Sequence, residues 1–221
     1  MIVLNNINLS FGNKEVKQKV LKDLNVKFVK DDLVTIMGKS GSGKSSLLKI
    51  LAGFLLEDSG EIMIDSRDLK ELSVEDRVNY LSRFISFVWQ DFKLIDEINI
   101  KNNILLPLNI HKLKFDEEYF EYLINELEIS NLMKKFPNQL SGGEKQRCAI
   151  ARALITKPKV LLADEPTGAL DEKTGNKLVD IIKNVLSNFV DLVIIVTHDK
   201  NIAAIGNKKY NLIDGRLEQY E

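Results

Sequence analysis

The chain has one cysteine and four prolines in 221 residues. The lone thiol, Cys148, has no partner for an internal disulfide, and the amino end MIVLNNINLSFGNKE lacks the basic, apolar and small-residue succession of a signal peptide, so a cytoplasmic protein is expected. Long hydrophobic runs are missing too. Val193 to Val196 and Ile104 to Leu108 fall far short of the ~20 residues that cross a bilayer, so any membrane role requires a partner chain. Nor is there an excess of either charge: 31 Lys and Arg stand against 32 Asp and Glu, which provides no overall field for nucleic acid or anionic lipid, and no nucleic-acid partner is expected. The 12 glycines and four prolines are spread along the chain without forming a linker, and there is no internal repeat or low-complexity tract. These absences leave one folded unit over residues 1–221.

What is present is ordinary globular material, 44% hydrophobic and 29% charged. Short β-type runs occur at Ile2 to Leu9, Val26 to Val29, Val34 to Met37, Ile62 to Ile64, Ile85 to Val88, Val160 to Ala163 and Val193 to Val196, with helical stretches between several of them. Strands followed by helices imply an α/β fold with a mostly parallel, covered sheet. Phe120, Leu123, Ile124 and Leu127 fall on the i, i+3, i+4, i+7 stripe of an amphipathic helix and are read as core. Asp214-Gly215, between two alternating runs, reads as a tight hairpin with a structural role.

Residues 38–45 read GKSGSGKS, fit G-x-x-x-x-G-K-[ST], and lie between an apolar strand and a helical run. Gly38, Gly41 and Gly43 let backbone N–H groups turn inward on phosphate oxygens, and the helix that follows points its positive end at the same charge. Lys44 would place a full charge on the β- and γ-phosphates, and the Ser45 hydroxyl would coordinate Mg²⁺. Ser40, Ser42 and Ser46 complete the candidate phosphate cradle. Taken alone the motif identifies a nucleoside triphosphatase without saying which. The strand-like KVLLADEP ends in adjacent carboxylates, of which Asp164 suits the Mg²⁺ side and Glu165 suits orienting and deprotonating an attacking water. In LSGGEKQR, Ser141 and Glu144 have capping-box spacing, while Gly142 and Gly143 leave the helix start uncovered by side chains and open to an anion.

The succession of P-loop, LSGGEKQR and LLADEP resembles the ATP-binding cassette (ABC) family over essentially the whole chain, LSGGEKQR being that family's signature. The resemblance implies a P-loop NTPase core with a mostly parallel sheet, an antiparallel β subdomain and an inserted α-helical subdomain. Residues 1–90 and 159–221 would form the catalytic core with the β subdomain, and about 91–158 the helical one. It also implies roles for further residues. Phe11 would stack on adenine, although tyrosine is common there and a core position is the other reading of this residue. Gln90 would be the Q-loop glutamine, catalytic and metal-binding beside the γ-phosphate. Asp171, in Ala169-Leu170-Asp171, would be the nucleotide-site residue of the D-loop, and His198 the switch histidine on the γ-phosphate. Glu165, His198 and Gln90 are then the catalytic candidates; Ser45, Gln90 and Asp164 hold the metal; the cofactors are ATP and Mg²⁺.

In the resembling family two subunits pack head to tail, so that Lys44 of one and Ser141 of the other grip the same ATP. Within it, FVWQDFKLID, NILLPL and ADEPTGALD most resemble subunits of the lipoprotein-release, macrolide-export and antimicrobial-peptide-resistance type, whose partners are integral membrane permeases. Such a subunit is peripheral on the inner face of the membrane, and Phe92, Leu94 and Ile95 are candidates for the docking groove. The chain departs from that pattern at Asp31-Asp32, where Gly-Glu is usual, at Ser66, where a turn glycine is usual, and at Asn102, where glutamate is usual. Three other classes share parts of the pattern. One is a non-transport cassette ATPase that signals through a membrane partner, as in cell division. The others are soluble cassette ATPases of DNA repair, chromosome structure or translation, and P-loop kinases, for which LSGGEKQR has no use.

Overall fold

The structure, a computed structural model, describes residues 1–13, 16–185 and 189–220. The chain begins with a long antiparallel pair, β1 (Ile2–Asn13) and β2 (Val16–Phe28), and β1 pairs on its other edge with β4 (Ser59–Ile64), to which β5 (Arg67–Asp68) is added. Both first strands run further than their hydrophobic pattern. Phe11 and Gly12 on β1, and Lys17 to Lys19 on β2, are exposed, so no apolar alternation marks this paired ribbon.

The second sheet has six strands in the order β10-β9-β3-β8-β7-β6. Its parallel part comprises β3 (Leu33–Met37), β6 (Ile85–Val88), β7 (Val160–Asp164), β8 (Leu192–Thr197) and β9 (Lys208–Ile213), and β10 (Arg216–Tyr220) closes it antiparallel to β9. Every residue of β7 and β8 is buried, because both faces are covered. The two-residue period of a strand then divides the core: Val160, Leu162, Leu192, Ile194 and Val196 join one apolar cluster, and Leu161, Ala163, Val193 and Ile195 join another. The first cluster also takes in β1, β2, β4 and the helices α1 (Lys44–Leu51) and α2 (Val74–Phe84).

The other face is covered by helices that lie mostly between β6 and β7 in the chain: α3 (Ile100–His111), α4 (Glu117–Glu126) and α5 (Gly142–Leu154). α6 (Glu172–Val185) and α7 (Lys200–Ile205) flank β8. Each of α2, α3, α4 and α5 starts at a polar residue whose side chain accepts the N3 amide, from Ser73, Asn99, Asp116 and Ser141 respectively. The stripe Phe120, Leu123, Ile124 and Leu127 is buried as its spacing requires. Asn103, on α3, is fully buried; its amide accepts from Ile95 N and donates to the carbonyls of Ile95, Ile98 and Asn99, which ties the entering loop to the helix. Its neighbour Asn102 is exposed.

Two of the departures from the family pattern acquire a backbone meaning. Asp31 lies at φ 67°, and the β4–β5 turn places Asp65 at φ 51° and Ser66 at φ 66°, all left-handed conformations that glycine adopts without a steric penalty. Ser66→Gly is expected to raise stability by about 1 kcal/mol, read as a higher midpoint of thermal or urea unfolding with unchanged nucleotide binding.

Candidate functional site

The loop from Gly38 to Gly43 leaves the carboxyl end of β3 and feeds the first turn of α1. Gly43 caps that helix at φ 103° with no side-chain cap, so the amides at its start stay uncovered. A Cβ on Gly43 would also lie 2.9 Å from Val20 Cγ1, and one on Gly38 would lie 2.7 Å from the Leu212 carbonyl, so β2 and β9 press the loop from outside. The Ser42 hydroxyl is buried without a protein partner, an acceptor and donor left for a ligand of the cradle. Lys44, only 6% exposed, curls back across the loop: its Nζ donates to the carbonyls of Gly38 at 2.8 Å and Lys39 at 3.1 Å and lies 3.9 Å from Glu165 Oε1. Ser40 is exposed at the loop's outer edge, and Ser46 follows in the first turn of α1.

Opposite the loop, β7 delivers its two carboxylates. Ser45 Oγ donates to Asp164 Oδ1 at 2.9 Å. Burial raises the Asp164 carboxyl above its usual range, opposed by the Ser45 hydrogen bond and reinforced by the negative charge of Glu165. Glu165 itself sits at φ 47°, a strained conformation for a non-glycine residue, held by its amide donating to Val196 O and by its carbonyl accepting from Gly168 N, each at 2.9 Å. That turn brings Glu165 Oε2 against Nδ1 of His198, which follows β8. Among the described residues no three His, Cys, Asp or Glu side chains form a metal cage. Ser45 and Asp164 instead present two hard oxygens, a donor set that fits Mg²⁺ completing its shell with water and phosphate oxygens.

The P-loop opens on a cleft of about 870 Å³. Its lining includes Gly38 to Ser42 and His198, and also Gln18, Lys19, Val20 and Lys22 from β2 and Asn211 to Gly215 from the β9–β10 hairpin. Asp214 at φ 48° and Gly215 at φ 80° make the expected tight turn, but the turn is more than structural: it walls the cleft, and Gly215 O accepts from Lys22 N at 2.7 Å. Phe11 does not line this cleft. Its ring is 47% exposed on the β1–β2 ribbon, directly across from Gln18, which argues against the core reading of that residue.

Gln90 follows β6 and is exposed; its Nε2 lies 3.0 Å from where a Cβ on Gly168 would stand, so it sits beside the loop that carries Glu165. Ser141, Gly142, Gly143 and Asp171 stand elsewhere and line no part of the cleft. The capping box is complete: Ser141 N and Oγ both donate to Glu144 Oε2 at 2.8 Å, which holds the Glu144 carboxyl below its usual range. The glycines have a packing reason as well, since a Cβ on Gly143 would fall 2.2 Å from Thr174 Cγ2 and one on Gly142 would lie 3.2 Å from Leu170 Cδ2. The start of α5 therefore packs against the segment of Asp171, which caps α6 through Thr174 N at 3.1 Å.

A second concavity lies apart from the docking candidates Phe92, Leu94 and Ile95. An apolar groove of about 500 Å³ is lined by Phe54, Val78, Phe87, Trp89, Leu106, Pro107 and Ile110, with Lys93, His111 and Arg152 among its polar side chains. Phe92, Leu94 and Ile95 are outside it: Leu94 packs on the helical core, the Ile95 backbone is pinned by Asn103, and the Phe92 ring turns toward Gly142. Their hydrophobicity shows in the sequence, but the left-handed backbone at Phe92 and Lys93 does not, and Ile95 remains 39% exposed.

This arrangement agrees with what the chain is similar to. The sequence profile of the family described as ABC transporter matches residues 21–168. The bacitracin export ATP-binding protein BceA of Halalkalibacterium halodurans is 36% identical over 96% of this chain and 85% of its own length. The lipoprotein-releasing system ATP-binding protein LolD of Colwellia psychrerythraea is 34% identical over 96% of this chain and 83% of its own. The dimeric structure of the ATP-binding cassette MJ0796 in a post-hydrolysis state with ADP and Pi superposes with a TM-score of 0.87 at 35% identity, over 100% of this chain and 98% of that one. A phosphate-binding P-loop facing a serine-bound aspartate and a strained glutamate, in a chain matched from end to end by such relatives, has one reading: the chain belongs to the ABC transporter family and is an ATP-hydrolysing nucleotide-binding subunit of that family.

Proposed function

We propose that two copies of this chain close head to tail around two Mg-ATP, and that closing and reopening drive an integral membrane permease. The observation that carries this reading is the separation of two anion-binding helix starts. The loop from Gly38 to Ser42 that feeds the start of α1 lines the cleft, whereas the start of α5 at Ser141 to Gly143 is exposed at its serine and lines no part of it. One chain cannot bring both to one phosphate, and two chains related by a twofold axis can, twice. The dimeric state of the similar MJ0796 cassette supports it.

In the closed pair, the Lys44 ammonium moves from the loop carbonyls onto the β- and γ-phosphates, and the amides around Gly41 and Gly43 surround the phosphate chain. Ser45 and Asp164, with Gln90 reaching in from its loop, hold Mg²⁺, which when bound neutralises charge on the transferring phosphoryl group. Glu165 orients a water in line with the γ-phosphorus and accepts its proton, and His198 fixes the Glu165 carboxylate and contacts the γ-phosphate. Water adds, the bond to the β-γ bridging oxygen breaks, and ADP and phosphate leave. Loss of the γ-phosphate removes the group shared by Lys44 of one copy and Ser141 of the other, and the pair opens. Phe11 stacks on the adenine from the ribbon, a role that its exposed ring permits.

The partner docks in the groove around Trp89. Phe54, Val78 and Ile110 are each more than half exposed there, and the lining contains Lys93, His111 and Arg152 but no carboxylate, which suits an amphipathic cytoplasmic helix with an acidic residue. Since Gln90 directly follows Trp89, docking and nucleotide state are coupled. Among the described residues no helix is long and apolar enough to cross a membrane, so the chain is held at the inner face of the membrane by that partner.

Three experiments test these assignments. Glu165→Gln is expected to lower kcat by about 10²–10⁴-fold and to elute as an ATP-dependent dimer in size exclusion with light scattering; a variant that stays monomeric with ATP sinks the sandwich. Phe11→Ala should weaken ATP binding about three- to tenfold while Phe11→Tyr retains it, measured by titration with a fluorescent analogue, and an unchanged affinity in the alanine variant removes Phe11 from the site. Ile110→Asp should leave the ATPase activity of the isolated chain intact yet eliminate the integral membrane protein that co-purifies with the parent from detergent extracts. Recovery of the same membrane subunit with both proteins places docking elsewhere.

A further inference from the structure

Two residues after Gln90 the backbone passes through consecutive left-handed residues, Phe92 at φ 59° and Lys93 at φ 50°. Neither is glycine; within the turn Phe92 N donates to Trp89 O at 3.3 Å and Lys93 N to Asp91 O at 2.6 Å, and a further hold comes from outside it. The holder is Arg152, near the carboxyl end of α5, whose guanidinium donates from Nη1 to the Lys93 carbonyl and from Nη2 to the Phe92 carbonyl, the second at 2.6 Å. A planar fork with two parallel N–H groups matches two adjacent carbonyls as a lysine ammonium does not. Among the described residues no carboxylate pairs with Arg152, and burial holds its pKa below the usual guanidinium value, so the two carbonyls are the polar partners that keep it in place.

The same helix begins immediately after Ser141, about 16 Å away along a rigid rod. α5 also packs against α3 and β6, and β6 ends two residues before Gln90. We propose that Arg152 is a positioning residue that locks the Gln90 segment to the signature helix, so that Ser141 at one end of α5 and Gln90 beside the other move as one body. This rests on the roles proposed above for Ser141 and Gln90. When the γ-phosphate of the partner subunit's nucleotide pulls on the start of α5, the fork on Phe92 and Lys93 carries the displacement to the glutamine of the other site, and the two sites of the closed pair are set together. Removing the fork lets Phe92 and Lys93 relax toward right-handed conformations and frees Gln90, while the P-loop, built by β3, β2 and β9, keeps its shape.

The chain contains a convenient reporter. Its single tryptophan, Trp89, directly precedes Gln90 and packs against Phe54 at 5.5 Å and Phe87 at 4.1 Å between ring centroids, so intrinsic emission reads this segment alone. Arg152→Ala and Arg152→Lys are to be compared with the parent chain, and each also combined with Glu165→Gln. The expected result is a nucleotide affinity within about threefold of the parent and a kcat about ten- to hundredfold lower in Arg152→Ala and less reduced in Arg152→Lys. The change in Trp89 emission on adding ATP to Glu165→Gln should be lost in the Glu165→Gln, Arg152→Ala double variant. The proposal is overturned if both variants keep the parent kcat, if kcat and nucleotide affinity fall together as general damage would make them, or if the emission response to ATP is absent from Glu165→Gln or unchanged in the double variant. The two readings fail separately: a Glu165→Gln chain that never dimerises breaks the sandwich, whereas a dimer with an intact Trp89 response after Arg152→Ala breaks only the link through Arg152.

Discussion

Parallel pairing of β3, β8 and β7, with Met37 opposite Thr197 and Asp164 opposite Val196, brings the three strand ends to the same side of the sheet, and the chemistry of the chain hangs from that edge. Met37 continues into the phosphate loop, Asp164 is followed by Glu165, and Thr197 by His198. Three segments more than thirty residues apart in the chain meet because hydrogen-bonded strands bring their carboxyl ends level. The Ser45–Asp164 hydrogen bond at 2.9 Å then joins the helix that follows one strand to the end of another. Slipping any of the three strands by a residue would turn the paired side chains to opposite faces and undo both the core and the site.

At that edge the protein stores charge and strain. Lys44 and Asp164 are each less than a tenth exposed, and Glu165 is held left-handed by backbone hydrogen bonds to Val196 and Gly168. A buried lysine whose ammonium rests on loop carbonyls and near a carboxylate is poised for a polyanion, since its present partners satisfy it without matching its charge. The start of α5 is built differently, with glycines where a Cβ would meet Leu170 and Thr174. Internal packing thus gives its own reason for glycine at Gly142 and Gly143.

Much of the site was legible because its parts are local. Gly38 to Ser45, the paired carboxylates at the end of an apolar run, and the Ser141–Glu144 capping box each lie within about one turn of chain, and the spacing carries the geometry. The helix of Phe120 to Leu127 was legible for the same reason: a 3.6-residue period is a local property. Less legible were the ends of β1 and β2, where exposed lysines and a glutamine replace alternation, and the left-handed turn at Phe92 and Lys93, of which the apolar character of the segment gave no sign.

The sequence by itself determined that the chain is a cassette ATPase and which residues are the candidates for phosphate, metal and proton, since these follow from residue type at fixed short spacing. Only the tertiary structure decided what walls the cleft, that Ser141 to Gly143 stand outside it, that an apolar groove runs past Trp89, and that Arg152 grips the backbone of Phe92 and Lys93. These relations join segments brought together by sheet register and helix packing. Arg152 and Lys93 are 59 positions apart, and no local period or propensity relates residues at that distance.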